Sequence, residues 1–125
     1  MSPRHIPATQ AELARIGLLA ELPGELLAKL AQRMRREDVP AGEAPVIEGE
    51  EGERFYVVLN GIFAVSNLGA MPRRMLRTGD YFGEVALAMN IPRTASVRAL
   101  TPATVASCDR ATFDAYVRPL FADDG

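Results

Sequence analysis

The run Phe82-Gly83-Glu84-Val85-Ala86-Leu87-Ala88-Met89-Asn90-Ile91-Pro92-Arg93-Thr94-Ala95-Ser96-Val97-Arg98-Ala99 decides how the rest of the chain is read. It enters from a strand and turns at Gly83, where the missing side chain lets backbone approach a ligand closely. Glu84 to Ala88 suit a very short helix, Asn90 and Pro92 break it, and a strand resumes at Thr94. A short helix presents free backbone amides at its N-terminus, which favours an anion there. Arg93 returns to this neighbourhood after the loop, and its guanidinium can make paired, charge-assisted bonds to phosphate oxygens. Amides plus one arginine suit a phosphodiester with a single charge. Glu84 is the odd member, because a carboxylate repels a phosphate unless it does another job. It can accept a hydrogen bond from a sugar hydroxyl while Arg93 takes the phosphate. Both residues also have plainer readings: Glu84 as a stabilising charge at a helix N-terminus, Arg93 as a surface or salt-bridging arginine.

Outward from this run, the middle of the chain reads as β-structure. From Pro40-Ala41-Gly42 to about Cys108, short β-type runs are broken by Gly, Pro and Asn. Phe55 to Leu59 is a strand of aromatic and β-branched residues. Asn60-Gly61 then signals a tight hairpin, in which both central residues take positive φ. Ile62 to Ser66 is the returning strand, Asn67 to Pro72 another turn, and Arg74 to Arg77 a short strand before Thr78-Gly79-Asp80. Thr94 to Ala99 and Thr104 to Cys108 form a last pair. Pro45 falls in an early strand and suits only an edge or a strand's first residue.

Helical punctuation marks the two ends. Thr9-Gln10-Ala11-Glu12 has the spacing of a capping box, and Leu13 and Ile16 continue that helix on one face. Pro23 suits the first turn of a second helix, in which Leu26, Leu27, Leu30, Ala31 and Met34 recur at helical steps. Arg33, Arg35 and Arg36 read as its solvated, dipole-matched C-terminal end. Asp109 is a good N-cap for a closing helix; Phe113, Tyr116 and Val117 give it an apolar face, and Pro119 is expected to end it.

Composition narrows the function classes. The 125 residues suit a single domain, and 48% hydrophobic with 24% charged residues is ordinary for a globular protein. Fourteen basic against sixteen acidic residues leave a net charge of −2, which argues against a nucleic-acid surface. No apolar run approaches the roughly 20 residues needed to span a bilayer, so no membrane contact is expected. Cys108, the only cysteine, cannot form an internal disulfide and fits a reducing cytoplasm. His5 is the only histidine and sits in a proline-flanked tail. Metal-dependent barrel enzymes and Ser-His-Asp or Cys-His hydrolases need positioned imidazoles, so catalysis of those kinds is not expected.

The quoted run resembles the phosphate-binding cassette of the cyclic-nucleotide-binding domain family. That family includes the bacterial catabolite activator, regulatory subunits of cyclic-nucleotide-dependent kinases, and cyclic-nucleotide-gated channels. Its pattern reads F-G-E, an aliphatic residue, A-L, a short variable loop, then P-R-[ST/A]-A and a strand. Phe82 to Leu87 and Pro92 to Val97 match it, while Pro40 to Glu43, Glu48 to Glu53 and Phe55 to Gly61 are similar to the family's glycine-marked turns and strands. The resemblance covers about Leu18 to Val117. Glu53 stands where the family often has Asp.

The resemblance implies a mainly β fold with flanking helices (α+β). It would be a jelly-roll-like β-barrel with N-terminal helices, a short phosphate-binding helix and a C-terminal helix. Its implied organisation is a tail and helix over 1–17, the binding domain over 18–118 and a frayed tail over 119–125. Gly83 and Glu84 would hold the ribose 2′-hydroxyl of cAMP or cGMP. The amides near Val85 and Ala86, with Arg93 and the Thr94-Ala95 backbone, would hold the cyclic phosphate. Thr94 occupies a position where the family varies, and it does not choose the base. The implied function is a non-catalytic sensor without a cofactor or a bound nucleic-acid polymer. With little apolar pattern after Pro119 to build the lid that covers the base, the expectation is that the lid is absent, that an effector domain or partner chain supplies it, or that this is a piece of a longer polypeptide. A barrel kept as a structural or protein-interaction domain is the alternative.

Overall fold

The run Arg54–Asn60 (RFYVVLN) lacks an alternation of apolar and polar residues, which a strand sustains only when both faces are covered. The computed structural model, which describes residues 6–67 and 74–121, shows that arrangement. His5 and the tail after Phe121 lie outside the described residues, as does most of the turn expected from Asn67 to Pro72.

Among the described residues, seven strands form two antiparallel sheets: β1 (Arg35–Val39), β2 (Arg54–Asn60), β3 (Phe63–Ser66), β4 (Arg74–Leu76), β5 (Tyr81–Phe82), β6 (Ser96–Ala99) and β7 (Ala103–Asp109). The first sheet runs β1-β7-β2-β5 and the second β4-β3-β6. Tyr56 and Val58 of β2 point into an apolar layer between the sheets, with Phe63, Leu76, Phe82, Val97 and Val105. Phe55 and Val57 point the other way, into a layer shared with the helices. The fold is mainly β with flanking helices, of the jelly-roll type. Among the described residues, hydrogen bonding does not close the two sheets into one barrel.

The helices form where the local signals place them. Helix α1 (Gln10–Ala14) starts with a complete capping box: the Glu12 amide donates to Thr9 Oγ1 at 3.0 Å, and the Thr9 amide to Glu12 Oε1 at 3.0 Å. Leu13 and Ile16 are fully buried against α2 (Gly24–Arg33) and the first sheet. Within α2, Leu27, Leu30 and Ala31 face the core, but Leu26 lies outside the apolar stripe and stays exposed. Asp109 Oδ1 accepts from the Thr112 amide at 2.9 Å and caps the last helical stretch. That stretch runs unbroken through α4 (Arg110–Thr112), a π turn (Phe113–Val117) and α5 (Arg118–Phe121).

Five further expectations need correction. Asn60-Gly61 is not a hairpin, since β2 and β3 belong to different sheets and only Gly61 has positive φ (96°). It is a corner at which the chain leaves one sheet for the other. Likewise β6 pairs with β3, and β7 with β1 and β2, so the last two strands do not pair together. Arg35 and Arg36 belong to β1 rather than to a helix end, because Met34 is already extended (φ −97°, ψ 136°). Edge strands tolerate such charge, and of β1 only Val39 is buried. Pro45 sits in a bend beside Val46, whose isolated bridge is to Val97. Finally, Pro119 does not end the helix. It stands in the first turn of α5, just after the π turn, where a missing N–H interrupts least.

Candidate ligand-binding site

Strand β5 delivers the chain to Gly83, which takes φ 89° and caps helix α3 (Glu84–Met89). Only glycine adopts that backbone cheaply. Here a side chain would also crowd the site, since a β-carbon at Gly83 would lie 3.0 Å from Arg93 Nη1. Asn90, at φ 55°, ends α3 and swings the chain back toward Arg93.

Arg93 is the pivot. Its residue surface is only 7% exposed, so its charge must be answered locally. Nη1 donates to the Gly83 carbonyl and Nη2 to the Arg54 carbonyl, each at 2.9 Å. The backbone around it is fixed as well: its amide donates to Glu50 O at 2.8 Å and its carbonyl accepts from Gly49 at 2.9 Å. Burial pushes the guanidinium below its ordinary value, while Tyr56, Glu53 and Glu84 act in the opposite direction. An arginine remains charged under such pressure. A guanidinium has five N–H donors, so two bonds to carbonyls leave others for an anion.

An open cleft of about 230 Å³ lies beside this arginine. Gly83, Glu84, Val85 and Ala86 line one side of it, with Arg93, Thr94 and Ala95 next to them. The seven residues singled out in the sequence thus share one cavity, and Glu84 is half-buried at its wall. The remainder of the wall was not legible in advance: Val65, Arg74, Leu76 and Val97 come from the second sheet, Val46 from a segment that bridges to Val97, and Tyr81 and Phe82 from β5. A cleft with a charged end and an apolar floor suits a small amphipathic anion.

Three groups outside the motif hold this machinery. Gly52 passes under Arg93, and its carbonyl accepts from Arg110 Nη2 at 3.3 Å. Arg110 Nη1 and Arg118 Nη2 both donate to Leu87 O at 3.1 Å, and Arg118 Nη1 to Ala88 O at 3.1 Å. Those carbonyls belong to the C-terminal end of α3, where cations are favoured. Tyr81, on the cleft wall, meets the Phe121 ring edge-on at 5.6 Å between centroids. Spacing along the chain could not reveal these contacts, because each joins residues far apart in sequence.

Residues 36–118 match the model of the cyclic nucleotide-binding domain. The chain belongs to the cyclic nucleotide-binding domain family. The cAMP-dependent protein kinase regulatory subunit of Eremothecium gossypii is 38% identical over 108 residues, covering 86% of this chain and 24% of that protein. A cGMP-dependent protein kinase of Caenorhabditis elegans is 37% identical over 102 residues, covering 82% of this chain and 13% of that protein. The structure of cAMP-bound PfPKA-R superposes with a TM-score of 0.84 at 29% identity, over 89% of this chain and 39% of that one. The chain therefore spans about a quarter or less of the length of these curated relatives. No helix among the described residues of this cyclic nucleotide-binding domain is long and apolar enough to cross a membrane.

Proposed function

We propose that this domain is a non-catalytic, cytoplasmic regulatory sensor that binds cAMP or cGMP in the cleft beside α3. The observation that carries the reading is the placement of Arg93, a buried cation fixed by two carbonyls at the edge of an open cavity. In this reading Arg93, the Val85 and Ala86 amides and the Thr94-Ala95 backbone take the cyclic phosphate. Glu84 accepts from the ribose 2′-hydroxyl, and Gly83 keeps the backbone close to it. The apolar floor receives the purine.

A sensor also needs a route outward. The bonds from Arg110 and Arg118 to Leu87 O and Ala88 O, and the Tyr81–Phe121 contact, tie the ligand helix and cleft wall to the C-terminal helix. A ligand that favours one placement of α3 then biases the C-terminal helix. The relatives named above belong to kinase systems, which makes a protein kinase the first effector to test.

Thermal melting with cAMP, cGMP and non-cyclic AMP tests the reading, since a ligand specific for the folded state raises the midpoint. We expect a shift with a cyclic nucleotide and little with AMP. Calorimetry should show Arg93→Ala weakening binding by about tenfold or more, from the loss of charge-assisted bonds. Unmoved midpoints with both cyclic nucleotides would instead favour a structural or interaction domain.

A further inference from the structure

Arg93 is seated by a residue whose own side chain is anchored elsewhere. Its Nη2 donates to the Arg54 carbonyl at 2.9 Å. Arg54 is the first residue of β2 and opposes Asp109, the last of β7, so its carbonyl stands where the ladder ends. Ladder ends open most readily. The Arg54 side chain closes this one: Nε donates to Ser107 Oγ at 2.9 Å and Nη2 to Ser107 O at 3.1 Å. Ser107 is fully buried in β7, between Tyr56 of β2 and Arg35 of β1. A buried hydroxyl needs partners. Its Oγ also donates to Glu37 Oε1 at a long 3.5 Å, and Glu37 pairs with Arg35 at 3.4 Å. The polar run thus crosses three strands, from the end of β2 to the sheet edge. Tyr56 lies among these groups: burial and then Glu37 raise its hydroxyl above the ordinary value, whereas Arg93, Arg54 and Arg35 act in the opposite direction. Its ring stacks on Phe82, part of the cleft wall, with centroids 4.8 Å apart.

We propose that Arg54 is a positioning residue for Arg93: by gripping Ser107 it fixes the carbonyl that orients the phosphate-binding guanidinium; this rests on the cyclic-nucleotide reading above. A guanidinium carries its donors in a rigid plane, so a carbonyl that holds one nitrogen also sets where the other N–H groups point. Gly83 O holds Nη1 from the cleft side. When Arg54 O drifts, the plane turns about that remaining bond, and the donors left for phosphate turn with it. Arg54 is also a positive charge, and charge alone attracts an anion. Geometry separates the two effects, because a planar fork grips Oγ and O of one residue together and a lysine ammonium does not. A role confined to tying β2 to β7 would lower stability and leave affinity unchanged.

Calorimetry with cAMP and cGMP on Arg54→Ala, Arg54→Lys and Ser107→Ala, each alone and combined with Arg93→Ala, tests this well below the melting midpoint. We expect Arg54→Ala to weaken binding about three- to tenfold, within the range for coupled neighbours. Arg54→Lys should lose most of that affinity although it keeps the charge. Ser107→Ala keeps every charge and removes one acceptor, and should cost about two- to fivefold; it carries the test alone if Arg54→Ala gives no cooperative melt. Combined with Arg93→Ala, each change should alter affinity less than about twofold, because the group being oriented is gone. Wild-type affinity in both Arg54→Ala and Ser107→Ala overturns the assignment and leaves the sensor reading standing. So does full affinity in Arg54→Lys, or an equal loss with and without Arg93. Failure of the wild type to bind either cyclic nucleotide overturns the sensor reading and this assignment together.

Discussion

The α-carbon of Gly52 lies under the guanidinium of Arg93, so close that a β-carbon there would stand 2.7 Å from both Cζ and Nε. The same β-carbon would stand 2.7 Å from Ala86 Cβ, so neither the arginine nor α3 has room to yield. Gly52→Ala should therefore displace the cation proposed to meet the phosphate, without replacing any residue of the F-G-E and P-R motif. We expect cyclic-nucleotide affinity to fall about tenfold or more in calorimetry, comparable to loss of the charged bonds themselves. Wild-type affinity in Gly52→Ala would show that Arg93 is not seated as described.

Beyond the phosphate contact proposed for it, Arg93 has a structural role. Its side chain satisfies two carbonyls from separate segments, Gly83 O and Arg54 O. Truncation leaves both short of a donor, at a cost of about 1–3 kcal/mol. The ligand-free variant should melt several degrees below the wild type. An unchanged ligand-free midpoint would contradict this second role.

The corner at Gly61 is the least replaceable point of the β-structure. Its φ is 96°, and a β-carbon would fall 2.5 Å from Ala103 Cβ and 2.9 Å from Pro102 O. Gly61→Ala combines backbone strain with overpacking and should cost about 2–4 kcal/mol in denaturant unfolding. A loss under 1 kcal/mol, about the cost of an ordinary substitution, would show that the corner has slack.

Arg118 should transmit rather than stabilise. Its side chain is 41% exposed, and its pair with Asp114, 46% exposed, is an i,i+4 surface bridge that adds little. Its two bonds to α3 carbonyls are the connection of interest. In wild type, cyclic nucleotide should change amide exchange in the C-terminal helix. In Arg118→Ala that response should shrink while ligand affinity changes less than about threefold. A full exchange response in the variant would move the connection elsewhere.

Acid should weaken the start of the C-terminal helix at a definite point. The Asp109 carboxyl is held below its ordinary value chiefly by the Thr112 amide, then by the Thr112 hydroxyl. A group depressed on folding contributes above its unfolded value of about 3.9, and the contribution is lost as pH falls through the lower folded value. Asp109→Asn keeps an acceptor without the titration. The melting difference between wild type and Asp109→Asn should be constant from pH 7 to 5 and shrink below about 4. A constant difference down to pH 3 would exclude this origin.

What the sequence disclosed was local. Thr9 with Glu12, Asp109 and Gly83 each act through backbone groups a few residues away, so spacing alone placed α1, the C-terminal helix and α3. The motif also brought Glu84 and Arg93 to one cleft, because the Asn90 turn folds a short loop back on itself. Partnership across the fold was hidden. The preference of Gly61 for positive φ was readable, but whether the next strand returns beside β2 or crosses to the facing sheet depends on long-range packing. Arg35 and Arg36 looked like part of a helix end because an edge strand needs so little apolar signal. The bonds that run from Arg54 through Ser107 to Glu37 exist only once the registers of β1, β2 and β7 are known.

The two carbonyl bonds of Arg93 carry a thermodynamic corollary. A long side chain that must be immobilised by its ligand sets about 0.5–1.5 kcal/mol against association. In the proposed binding mode that ordering is complete beforehand, because the protein's own backbone already grips the guanidinium. Folding bears the entropic burden, and the incoming anion meets a rigid receptor.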